Sequence, residues 1–397
     1  MKIKLIAIII FVASLFSPLD IESADLSSVK NANGDDSQIS GNIDDIMNEL
    51  DLSELEAFIA SLTSEQQSFL DGAAVKDFIK NIVSGQAIDF GTIINYLLLA
   101  FGANAAMYVP LMLALIAVAV AYSVINSVKG KFASDSVESI IRFACMGVIL
   151  TLLITQIFFI ISSVMDMISL LKKQTDIFFP LILTLMTAIG ASSSVNVYRP
   201  AVLIFASGII NLITAVAIPM FIISVVFTAI GNLSSGIKLK EMSSFFSTIS
   251  KWVLNTAFFV FMAFLSIQGI TASIYDGITI RTTKLALSKY VPIIGGYLSE
   301  GFNIILAGSV LIKNSLGLTA VIVLLFTVVP YIIRVALLSL SLRLTAAIAE
   351  PLGCKEISGA IGDFGKNLTM LISMVLGVAF LYFLFVMLII ATGNLSL

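Results

Sequence analysis

Residues 90–128 read FGTIINYLLLAFGANAAMYVPLMLALIAVAVAYSVINSV, 39 residues without one charged side chain and with Pro110 near the middle. A bilayer core is crossed by about 20 apolar helical residues, so a run of this length sets the class of the chain as an integral membrane protein. Proline inside such a run bends or interrupts the helix, which predicts either one long kinked span or an interfacial helix leading into a span. Lys129 and Lys131 close the stretch.

Outward from it the same grammar returns. Residues 143–165, 252–275 and 367–397 are further uncharged runs of 23, 24 and 31 residues. Of the 397 residues, 58% are hydrophobic and 12% charged, against roughly a quarter charged in a soluble domain. There is no histidine, which excludes Ser-His-Asp, Cys-His and His-ligated zinc chemistry, and no Walker motif. The chain is therefore expected not to be an enzyme and to need no cofactor. Cys145 and Cys354, one in an apolar run and one in a polar loop, read as two reduced thiols rather than a metal knuckle or a disulfide pair.

The charge is divided. Residues 25–90 hold 13 acidic and 3 basic side chains, whereas residues 91–397 hold 10 acidic and 17 basic. Residues 1–24, with Lys2 and Lys4 ahead of an apolar run and Ser23 and Ala24 behind it, read as a signal peptide or signal anchor that exports the acidic part. Residues 25–41 are a polar linker. Residues 42–90 regain apolar residues at helical spacing, with expected capping boxes Ser53 with Glu56 and Thr63 with Gln66. They predict an acidic extracytoplasmic helical cap, too small to stand alone and so expected to lie on the membrane part or a partner.

After two transmembrane helices (91–170), the chain resembles itself. Pro180 and Pro292 each follow an aromatic or β-branched residue, Pro219 and Pro330 come next, and then KEMSSFFSTISK (240–251) and KEISGAIGDFGK (355–366) share Lys-Glu, a hydroxyl at the fourth place and a closing lysine. This predicts a membrane repeat, 171–278 and 279–397. If the Gly/Ser-bearing segments after Pro180 and Pro292 cross fully, the copies are inverted; if they dip in and return, the copies are parallel. Lysine and arginine favour the cytoplasmic side of short loops, and that count favours six spans, two re-entrant segments and parallel copies.

Between two of the apolar runs, residues 268–317 carry Gln268, Asp276, Arg281, Lys284, Gly295, Gly296, Lys313 and Asn314. Polar, glycine-rich sequence wedged between spans needs cover from protein or water. Arg281 and Lys284 share a helix face with Ser288, the stripe of an interfacial helix or of a pore lining. With Arg199, Lys240, Glu241, Lys355 and Glu356 from the repeat, these are the candidate pore or assembly residues. The runs DGITIRTTK (276–284), VPIIGG (291–296) and SVLIKNSLG (309–317) resemble the signature region of the stage III sporulation protein AE family of endospore-forming bacteria.

That resemblance implies a multi-pass component of the channel joining mother cell and forespore after engulfment, in the mother-cell membrane facing the forespore. It implies partners among the other membrane and ring-forming proteins of that sporulation channel complex and a secretion-type ATPase, within the lipid bilayer and without nucleic acid. The residues alone give an all-α polytopic helical membrane protein with an internal repeat and a small exported N-terminal helical domain. A solute permease with a midplane site in the repeated segments is the competing reading. Sparse intramembrane charge favours the channel subunit, because an ion-coupled carrier keeps ionisable groups inside its spans.

Overall fold

The computed structural model describes residues 36–67, 74–84, 90–128, 135–233, 239–290 and 295–392, and between 267 and 305 it describes the backbone alone. The signal segment and Pro292 lie outside the described residues. Among the described residues four short helices come first: α1 (Asp36–Glu49), α2 (Ser53–Ala60), α3 (Ser64–Gln67) and α4 (Val75–Val83). Then come α5 (Phe90–Val128), α6 (Asp135–Ala188), α7 (Ser192–Leu203), π1 (Ile204–Ile209), α8 (Ile210–Leu212), π2 (Ile213–Ala217), α9 (Ile218–Leu233), α10 (Lys240–Tyr290), α11 (Gly295–Ala349) and α12 (Lys355–Ala391). Among the described residues there is no strand. Among the described residues six stretches are long and apolar enough to cross a membrane: Ile94–Ile125, Ser139–Ala188, Ser192–Leu233, Lys240–Ser266, Leu306–Leu352 and Lys355–Ala391.

Interhelical bonds fix the directions. Tyr96 and Phe326, Asn104 and Arg334, and Ser123 and Leu352 pair with sequence separations of 230, 230 and 229, so α5 and α11 run parallel. Ser247 bonds the Met370 sulfur, Leu254 lies against Gly377 and Phe258 stacks on Phe380, so α10 and α12 are parallel too. Two hairpins are antiparallel. In α9–α10, Ser224 and Ser243 exchange hydroxyl-to-carbonyl bonds of 2.8 and 2.9 Å and Ser250 donates to the Ala217 carbonyl. In α11–α12, Ser358 donates to the Ala346 carbonyl and Ser339 to that of Gly365.

Both Lys-Glu pairs are the first two residues of a helix, α10 and α12, and the parallel course of those helices puts both starts at one end of the bundle. Ser243 and Ser358, the matched hydroxyls, each reach back to the preceding helix. The prolines do not match in the same frame: Pro219 is within about one and a half turns of Ser224, Pro330 more than four turns from Ala346. Of the two glycine-bearing segments, 189–194 holds the turn from α6 into α7, and 295–308 is continuous helix. Residues 178–188 continue α6, which Gly190 ends at φ 81°, while glycines 295, 296, 301 and 308 sit inside α11. Helical backbone satisfies its own polar groups, the cheaper solution in a membrane. The α11–α12 turn is made by Pro351 in a 3-10 turn and Gly353 in the left-handed region.

Three of the helices, α6, α10 with 51 residues, and α11, are far longer than a bilayer core is thick. α6 has 54 residues and α11 has 55, about 80 Å each at 1.5 Å per residue, against a hydrocarbon core of about 30 Å. Large exposed apolar side chains on α6 stop at Met165, and among the described side chains of α11 they are confined to Leu340, Leu344 and Ile348. Past Met165 the exposed face of α6 is polar, with Asp166, Lys173 and Asp176, while residues 306–339 of α11 are covered by protein. Part of that cover is the acidic cap, with α1 and α4 against α11 and α2 against α6. At the Thr63 box, Gln66 receives the Thr63 amide (3.1 Å) and donates its own to the Thr63 hydroxyl (3.2 Å). The Ser53 box does not form, because Asp51 takes both the Ser53 amide and its hydroxyl. Those two bonds, the hydroxyl first, hold the Asp51 carboxyl below its ordinary range. α1 begins inside the expected linker, at Asp36.

Candidate functional site

The site that the fold builds most fully lies at the cap end, where α12 stops. α11 presents Lys313 there, fully buried. Gly317, one turn on, lets the two helices close: a Cβ in its place would lie 2.6 Å from Ile390 Cδ1. Lys313 Nζ donates to the Ile390 carbonyl at 3.0 Å and to the Thr392 carbonyl. These are acceptors that the helix itself cannot satisfy, at the negative end of its dipole. Thr392 turns its hydroxyl onto the Leu388 carbonyl (2.8 Å) and meets the Tyr198 hydroxyl of α7 at 2.7 Å. An aromatic floor lies beneath: Phe385 stacks on Phe179 at 4.5 Å and contacts Tyr198, Phe205 and Phe261. Gln174 of α6 donates to the Ala320 carbonyl at 2.7 Å.

A buried ammonium costs several kcal/mol unless it is well bonded. Here that bonding ties α11 to the end of α12, and Tyr198 adds α7. The arrangement is a three-way helix lock, and its polar groups face one another.

The other candidates are dispersed. Asn314 is half-buried beside Lys313, and Arg199 is exposed beside Tyr198. Lys240, Glu241, Lys355 and Glu356 are exposed at the opposite end, where Glu356 pairs with Arg142 of α6 at 3.1 Å. Gln268, Asp276, Arg281 and Lys284 lie along the helical backbone of α10, their side chains outside the described residues, and Gly295 and Gly296 open α11. At the Lys-Glu end a second polar node joins Ser224, Ser243 and Thr228, with the Asn367 amide of α12 donating to Thr228 at 3.0 Å. Cys354 is buried, its thiol against the Ala119 carbonyl at 3.3 Å, and burial pushes its pKa up. Both cysteines are free, and among the described residues no cluster of His, Cys, Asp and Glu fits a metal ion.

Sequence reasoning missed Tyr198, Thr392, Gln174 and the serine node. The available signals were an amide in the charged LLKKQTD stretch and a threonine ending an apolar run, and neither stands out without the packing.

The family model of stage III sporulation protein AE matches residues 73–393. The chain belongs to the stage III sporulation protein AE family. It is also similar to the stage III sporulation protein AE of Bacillus subtilis (strain 168), at 25% identity over 218 residues, 55% of each chain. The chain thus spans about half the length of the curated relative it matches. No solved structure matches it. Membership assigns the protein a role in sporulation, and the matched residues contain the Lys313 lock and every candidate residue named above.

Proposed function

We propose that this member of the family is a non-catalytic, multi-pass scaffold subunit of the channel between mother cell and forespore, set in the mother-cell membrane with its acidic cap outside the cytoplasm. On this reading it assembles with other membrane proteins and ring-forming proteins of the complex and with a secretion-type ATPase. The observation that carries it is how the buried polar groups are used. Lys313, Tyr198, Gln174, Ser224, Ser243, Ser250 and Ser339 all tie one helix to another. A carrier site would turn such groups toward a substrate at mid-depth. The permease reading is accordingly not favoured.

The experiment is deletion of the gene, followed by purification of a cap-tagged chain from sporulating cells in mild detergent. The expected result is normal vegetative growth, arrest after engulfment, and co-purification of ring-forming and ATPase components. Wild-type sporulation in the deletion strain, or a chain that purifies alone from cells in which the complex is intact, would overturn the proposal.

A further inference from the structure

The third candidate span, Ser192–Leu233, is not a uniform helix. Two π-helical segments of 6 and 5 residues, π1 and π2, interrupt it at mid-length, with the 3 residues of α8 between them. The cause of π2 is legible in the chain. Pro219 has no N–H to return to the carbonyl one turn back, and its ring pushes that turn open. π1 contains the small residues Ala206, Ser207 and Gly208, which resist such widening least. The loosened backbone is patched from outside the ladder: the Thr214 hydroxyl donates to the Ile210 (3.0 Å) and Asn211 (3.2 Å) carbonyls, and Ser250 of α10 donates to the Ala217 carbonyl at 2.6 Å. Asn211, between the two segments, leaves its side chain exposed in the middle of a span, a costly place for an amide.

We propose that residues 204–217 are a register switch. A π turn holds one residue more than an α turn, so converting one segment to α geometry, or moving it along the helix, shifts everything on one side by one residue. That is about 100° of rotation and 1.5 Å of travel. α9 is held to α10 by the Ser224–Ser243 bonds, so α7 is the part that turns. Rotation of α7 carries the Tyr198 hydroxyl away from Thr392, takes Asn211 off its present face and loosens the lock at the end of α12. The segment therefore couples the middle of this span to the Lys313 site, the coupling that opening and closing a channel subunit requires.

The test has two arms. In the wild-type protein reconstituted in lipid nanodiscs, backbone amides of residues 204–217 should exchange with deuterium about tenfold or more faster than those of residues 368–386 in α12. Equal protection would overturn the switch. In the second arm one residue is deleted from each π segment, Gly208 or Ala215, with deletion of the buried Ala379 in α12 as the control. Removing the extra residue leaves both flanking helices in register, so the two π deletions should accumulate at the wild-type level while the control does not, and sporulation should fall about tenfold or more with the protein locked in one register. Wild-type sporulation with either deletion would overturn the proposal, as would π deletions that fail to accumulate, since the π turns would then be fixed parts of the packing. The exchange arm does not depend on the channel reading, and the sporulation arm is read only against a gene deletion that is itself defective.

Discussion

Lys313 is fully buried, and its ammonium donates to two carbonyls at the end of α12. Replacing it with alanine strands both acceptors, at about 1–3 kcal/mol each, and leaves a cavity. Lys313→Ala is therefore expected to lower the apparent thermal midpoint in detergent clearly, whereas Lys173→Ala, at an exposed position on α6, should change stability by no more than about 0.5 kcal/mol. Gly317→Ala should cost about 1–3 kcal/mol by overpacking against Ile390, and a second change, Ile390→Ala, should return part of that loss. Persistence of the full loss in the double variant would place the clash elsewhere. The sequence singled out Lys313 because a lysine inside a glycine-bearing apolar stretch has to be accounted for. Its partners were hidden, because two are backbone carbonyls and the third contact runs through Tyr198, 194 residues from Thr392.

The paired hairpins explain what periodicity and charge could and could not deliver about the elements. Lys-Glu at 240 and 355 marks a helix start because the apolar run behind it is helical and the break before it is short. The serine three residues later is a local feature, and both copies use it alike. The prolines were a poorer guide, since a proline's effect depends on where its turn sits against the neighbouring helix, and Pro219 and Pro330 lie at different distances from the serine contact of their hairpins. Parallel α10 and α12 require both starts to lie on one membrane face. In a background without the two native cysteines, Ser244→Cys and Lys355→Cys, both at exposed positions, should become accessible to an impermeant thiol reagent under the same condition. Labelling from opposite faces would contradict the parallel pairing.

For the molecule as a whole, the change from apolar to charged surface along α6 is legible in the residues themselves, in the uncharged run that ends at Met165 ahead of Asp166, Lys172, Lys173 and Asp176. That one helix continues through the change is not, because charge marks where the surroundings alter and not where the backbone stops. Asp176→Cys should react with an impermeant reagent and Phe158→Cys, on the apolar surface of the same helix, should not. Reaction at both would mean that α6 is not embedded as its surface indicates.

The lengths of α6 and α11 carry one more consequence. Even a helix tilted by about 40° uses only about 40 Å of its length in crossing the core, so about 40 Å of α11 stands clear of the hydrocarbon. Because the exposed apolar side chains among its described residues sit near its Lys-Glu end, most of that reach is on the side of the cap. The protein is therefore a spacer as much as a span. Whatever docks on the cap end is held at a fixed stand-off from the lipid, and removing whole turns from α6 and α11 together would draw the two closer by about 5 Å per turn.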